Sequence, residues 1–232
     1  MKNDKIVEWN ILRSKELVHE ALNKDKIIIF FTRIAEDLKR YQNPNFYGRL
    51  KELYLLIYPY SNIQDPKILY KDMKKSDFDS KDGLILDDEE RGFVKKFIDF
   101  LDDEQCKIKN KRAAVEEIEE IQAKLVRKYL PNSSKLVEAY ILGKLIASVG
   151  GIDRISKMPS STIQIIGAEK ALFRYMSKHT SCPKYGLIYD SVRIGIKKGV
   201  KPREAGKRAR QLANKLSLNL RVDYFRNFSK SQ

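Results

Sequence analysis

The residues with the most chemical promise lie in the segment Ser161-Thr-Ile-Gln-Ile-Ile-Gly-Ala-Glu-Lys-Ala-Leu-Phe-Arg174. A Gly-Ala pair inside an otherwise helical pattern costs helix stability, so Gly167 and Ala168 are expected where something must come close. That neighbour is either a facing helix or the backbone or base of a ligand, and physics alone leaves both open. A second cluster, Asp87-Asp88-Glu89-Glu90, offers carboxylates that a metal ion would accept. The better reading is the first turn of a helix, whose dipole attracts acids. Cys106, Cys182, His19 and His179 are the only thiols and imidazoles, with no CxxC pair. They support neither a disulfide framework nor a zinc site. No GxGxxG, GxxxxGK[ST], HExxH or local Cys-His-Asp grouping occurs. No catalytic residue, no metal and no cofactor is expected, and the chain reads as a non-enzyme.

The elements that must position these residues are helical throughout. Ile27, Phe31, Ile34, Leu38 and Tyr41 recur at three- and four-residue steps, the stripe of an amphipathic helix, and Asn43-Pro44 breaks it. Leu50, Leu53, Tyr54 and Ile57 repeat the pattern up to Pro59. Residues 59–83, rich in turn formers, read as short helical pieces joining two longer arms. From Asp87 to Leu130 the spacing of Phe93, Phe97, Val115, Ile118, Ile121 and Leu125, with no proline, predicts one continuous helix packed on the first arm as an antiparallel coiled-coil-like pair. After Pro131 the chain becomes compact. Helices are expected over Leu136 to Val149, stopped by Gly150-Gly151, over Ile152 to Lys157, from Ser160, and over Pro202 to Leu220. The last should turn Ala205, Ala209, Leu212, Ala213, Leu216 and Leu220 inward. A short extended piece is expected over Tyr185 to Tyr189.

Charge divides the chain more sharply than hydropathy does. The formal net charge is +15; residues 131–232 hold 20 Lys/Arg against 6 Asp/Glu, a balance of +14, which leaves +1 for residues 1–130. Cations concentrated in this way are the footprint of a polyanion, because each one set against a phosphate releases condensed counterions. Nucleic acid is the expected partner, ahead of an anionic membrane. The apolar run Ile27 to Phe31 is too short to cross a bilayer and no signal-peptide pattern opens the sequence. A soluble intracellular protein without a membrane partner is expected.

STIQIIGAEKALFRYM, then Pro183 to Tyr189, then Lys215 to Arg221-Val222-Asp223-Tyr224-Phe225, resembles the Nop domain of archaeal box C/D RNA-protein complexes. The resemblance is dense over residues 131–225 and looser over 11–130, which is similar to the coiled-coil region preceding that domain. It implies an all-α fold, with long antiparallel coiled-coil arms followed by a compact basic helical Nop domain. The implied division is a lead segment 1–25, a coiled-coil domain 26–130, a Nop domain 131–228 and a tail 229–232. It further implies a non-catalytic scaffold that self-associates or pairs through the coiled coil and grips a kink-turn RNA with a small kink-turn-binding protein. Such complexes guide 2′-O-methylation by a separate methyltransferase, fibrillarin. The sequence opens close to the coiled coil, a short form without the family's N-terminal fibrillarin-binding domain, so fibrillarin is a doubtful partner. The expected location is cytoplasmic for an archaeal source, nuclear or nucleolar for a eukaryotic one.

Carried over residue by residue, the RNA- or RNP-binding set is Gly167, Ala168, Glu169, Lys170 and Arg174 of the GAEK segment, Lys157 of Ser-Lys-Met-Pro, and Lys184, Tyr185, Arg210 and Arg221, with Lys207 added from the basic face of the last helix. Lys supplies a flexible point charge and Arg a planar fork for phosphate or a splayed base. Lys207, Arg208, Lys197 and Lys198 fit a diffuse basic field, and Arg221 fits equally a salt bridge with Asp223. Tyr185 stands where many archaeal members carry His, and the loop 190–202 lacks the expected aromatics. Two other readings remain: a splicing-type kink-turn scaffold, which shares Ser-Lys-Met-Pro, and a coiled-coil assembly protein whose basic end meets an acidic partner.

Overall fold

The computed structural model describes residues 2–22, 24–41, 46–79, 82–101, 108, 110–178, 180–191 and 201–227. Cys106, His179, Lys197, Lys198, the Asn43-Pro44 break, most of the loop 190–202 and the tail 229–232 lie outside them. The described residues are helical in the main, without a named strand. The helices are α1 (Lys2–Ala21), α2 (Asp25–Arg40), α3 (Tyr47–Ile57), α4 (Pro66–Lys75), α5 (Asp88–Phe100), α6 (Lys111–Tyr129), α7 (Ala139–Val149), α8 (Ile152–Lys157), α9 (Ser160–Ile165), α10 (Glu169–Lys178) and α11 (Pro202–Asn227). Short 3-10 turns occupy Ser133–Lys135 and Leu187–Asp190. The all-α class stands as expected. By internal contacts the chain divides into one unit of residues 1–26 and 34–118 and another of 27–33 and 119–232.

In the first unit, α3 buries Leu50, Leu53, Tyr54 and Ile57, and α4 packs against both α3 and α5. Phe46 and Phe97 meet edge to face, with ring centroids 6.0 Å apart. Each fully buried Leu, Ile or Phe in this layer contributes about 1.5–3 kcal/mol. The acidic cluster is a helix cap. Asp87 accepts from the backbone N–H of Glu90, and Glu90 Oε2 accepts in return from the backbone N–H of Asp87, each at 3.0 Å. Lys24 Nζ closes on the same buried Glu90 oxygen at 2.9 Å. Two carboxylates of the cluster are thus held in a reciprocal capping box.

The single helix expected over 87–130 is corrected: it is two helices, α5 and α6. Leu101 leaves the helical conformation, at φ −82 and ψ 148, is fully buried, and pairs as an antiparallel bridge with Ile108. The Tyr70 hydroxyl donates to its carbonyl at 3.4 Å. Asp102-Asp103-Glu104 follow in the sequence, and acids oppose the negative end of a helix dipole. Periodicity missed the break because each half keeps its own helical spacing.

The second unit is built around α11, which packs on α8 and α9. Ala205, Ala209, Leu212, Ala213, Leu216 and Leu220 are buried as the spacing predicts. Gly150 ends α7 in the left-handed conformation, φ +91, and the N–H groups of Gly150 and Gly151 both reach the Ile146 carbonyl. Gln122 donates to Thr32 Oγ1 at 3.0 Å and to the Ala139 carbonyl at 3.2 Å, joining distant parts of this unit in its interior. Asp223, fully buried on α11, receives the backbone and side chains of Asn132 and Ser133 at 2.7–3.1 Å. It pins the turn that follows α6 to α11.

Candidate nucleic-acid interface

The GAEK segment does not continue one helix. Helix α9 stops at Ile165 and α10 starts at Glu169, with Gly167 between them at φ +87. A side chain there would be strained by that dihedral, and its Cβ would sit 2.5 Å from Leu187 Cγ. The close neighbour anticipated for this glycine is therefore the Leu187 side chain. The last carbonyls of α9 find partners in the same segment: Gly186 N–H donates to Gln164 O and Leu187 N–H to Ile166 O. The extended piece expected over Tyr185 to Tyr189 is corrected to a 3-10 turn from Leu187, which these two bonds anchor against α9. Tyr185 stacks on Tyr189 at 4.5 Å between centroids.

Glu169 Oε1 accepts from the Gly167 N–H at 2.6 Å, closing the junction, and Ala168 N–H reaches the Ile165 carbonyl. Beyond it α10 buries none of its residues. Lys170 and Arg174 are exposed, and Phe173 and Met176, each 67% exposed, stand bare beside them.

Lys184, Lys207 and Arg210 are brought together. They line one cleft of about 1080 Å³ between residues 181–184 and the start of α11, along with Lys201 and Arg203. Two small features shape its walls. Gln164 Nε2 donates to the Lys184 carbonyl at 2.5 Å, fixing that segment to α9. Gly206 lets the Lys184 stem lie against α11, since a Cβ there would stand 3.2 Å from that of Lys184. Among the described residues none of these five cations is held in an ion pair. Glu204, the one acid on the lining, is engaged by Arg208 at 2.5 Å. Burying no counter-charge leaves the cleft strongly electropositive.

Lys157 and Arg221 form a separate pair of sites. Arg221 Nε donates to the Ser156 carbonyl at 3.1 Å, so it braces the end of α8 and does not pair with Asp223. Next to it, Lys157 Nζ lies 2.5 Å from Asp153, one turn back. The hydrogen bond from Lys157 holds the Asp153 carboxyl below its ordinary range, and the same bond holds the Lys157 ammonium above its own. Sequence reasoning missed Lys201, Arg203, Gln211 and Asn214 on the cleft. The signal for the last two was there: positions 207, 211 and 214 share one face of a helix.

Fold and site together define a helical protein with a cleft lined by five cationic side chains. Residues 72–232 match the family model described as "Nop: snoRNA binding domain, fibrillarin", and the chain belongs to the Nop family. It is 36% identical over 220 residues to Nucleolar protein 58 of Aspergillus terreus, covering 86% of this chain and 37% of that one. Over 103 residues it is 45% identical to Nucleolar protein 58 of Neurospora crassa, 44% of this chain and 17% of the relative. The chain thus spans little more than a third of the length of such relatives at most. A solved fibrillarin/Nop5p complex is similar at 20% identity and a TM-score of 0.48, covering 96% of this chain and 71% of the other.

Proposed function

We propose that this chain is a non-catalytic RNA-binding scaffold of a box C/D-type ribonucleoprotein, gripping a kink-turn RNA together with its kink-turn-binding protein in a complex that guides 2′-O-methylation. The observation that carries the reading is the convergence of Lys184, Lys201, Arg203, Lys207 and Arg210 on one cleft. Family membership supplies the class of polyanion, since the matching family model is described as a snoRNA-binding domain. The bare Phe173 and Met176 beside Lys170 and Arg174 suit a protein surface presented next to RNA. On α1, the exposed Ile6, Trp9, Leu12 and Leu17 suit pairing with another helix, in keeping with self-association. No described residue is assigned to a fibrillarin contact. The named relatives are fungal and nucleolar by name, which supports a nucleolar location and leaves the archaeal, cytoplasmic alternative without support.

The RNA that travels with the protein tests the proposal. Crosslinking the chain in its cell of origin and sequencing the attached RNA should return molecules with paired C and D boxes. Recovery of a spliceosomal kink-turn RNA instead would sink the box C/D assignment in favour of a splicing-type scaffold.

A further inference from the structure

The lining of the cationic cleft is not all charge. Gln211 and Asn214 line it together with Lys207, at helical steps that place all three on one face of α11. Both amides are exposed. A primary amide offers a donor and an acceptor side by side, so besides donating to a phosphate it can pair with the edge of a nucleobase, which a lysine cannot do with both kinds of group. The cleft is concave, with α11 on one side and the Lys184 segment, tied down by Gln164, on the other. A volume of about 1080 Å³ suits a small ligand or one splayed nucleotide, where a duplex would present only its phosphates to the cleft.

We infer that this cleft reads one unpaired nucleotide, its lysines and arginines holding the phosphates while Gln211 and Asn214 meet the edge of the base. Adenine is the base that fits first, because it sets an acceptor beside its amino group on two edges, N1 and N7, where cytosine does so on one, and either edge matches the amide of Asn or Gln. The inference rests on the RNA-binding reading above and goes beyond it, since charge alone would bind every sequence equally.

The test uses a short stem RNA carrying a single unpaired nucleotide, made with adenosine or with an abasic ribose at that position, and the affinity of the full chain for each measured by fluorescence anisotropy. Adenosine is expected to bind about tenfold more tightly than the abasic RNA, the discrimination of one good bidentate contact. Gln211→Ala with Asn214→Ala should remove that preference and leave a residual affinity equal to that of the abasic RNA. Both side chains are exposed, so helicity by circular dichroism should be unchanged. Equal affinity of the unaltered chain for the two RNAs, or a preference that survives the double substitution, would overturn the inference while leaving the RNA reading intact. A chain that binds neither RNA better than it binds heparin, and that also fails to bind a kink-turn RNA carrying its kink-turn-binding protein, would overturn the RNA reading and the inference with it.

Discussion

Asp223 accepts hydrogen bonds from both the backbone N–H and the hydroxyl of Ser133, at 2.9 and 2.7 Å, across a separation of 90 residues in the chain. A second oxygen of the same carboxylate takes the backbone and side-chain N–H groups of Asn132. Asp223→Ala would strand these donors in the interior and is expected to cost about 3 kcal/mol. Chemical denaturation should show it, and a change within experimental error would contradict the assignment of this residue as the clamp between the turn after α6 and α11.

At Gly167 the left-handed φ and the Leu187 side chain both exclude a methyl group. Gly167→Ala should therefore destabilise the protein by about 2 kcal/mol or more. Adding Leu187→Ala relieves only the collision, so the double variant should still show the dihedral penalty on top of the cost of Leu187→Ala alone. Additive, unstrained behaviour in the melting curves would contradict the junction.

Lys207 and Arg210 lie exposed on the cleft. Replacing both by Ala should leave the fold unchanged and weaken RNA binding, and should lower the slope of log affinity against log salt by about 2. An unaltered slope would place the RNA elsewhere on the molecule.

The Asp153–Lys157 pair has a signed pH dependence. Asp153, with its folded pKa lowered, contributes stability that is present above the ordinary carboxylate range and lost as pH falls through its folded value. Lys157, with its folded pKa raised, contributes stability that is fully present below the ordinary lysine range and lost as pH rises through its folded value. The contribution should be flat at neutral pH and decline at both ends, a difference that Asp153→Asn abolishes. The same substitution removes a negative charge beside Lys157 and should raise RNA affinity, whereas Lys157→Ala should lower it. Indifference of binding to both changes would remove Lys157 from the interface.

The inward face of α11 was legible in the sequence because Ala205 to Leu220 keep one helical spacing, and the glycine stop after α7 because Gly150 occupies the left-handed end position that glycine tolerates. The acidic first turn at Asp87 was legible for the same local reason. What escaped were relations with no local signature. The break at Leu101 depends on a bridge to Ile108 and on Tyr70 from another helix. Gly167 looks like a flaw within a helix until Leu187, twenty residues on, is seen against it. Of the site, the resemblance supplied Lys184 and Arg210 and the basic helix face supplied Lys207, but their meeting in one cleft depends on Gln164 and Gly206, which hold the Lys184 segment against α9 and α11. The role of Asp223 depends on partners far away in the chain, where no spacing rule reaches.

The central claim is shape-specific recognition of a protein-bound kink-turn by the second unit. The most direct measurement titrates the chain against a kink-turn RNA and a fully paired stem of the same length, with and without the kink-turn-binding protein, at one salt concentration. Both RNAs carry similar phosphate charge, so electrostatics alone cannot separate them. The account predicts clear preference for the kink-turn, strongest when its protein is bound. Equal affinity for the two RNAs under all conditions would contradict it.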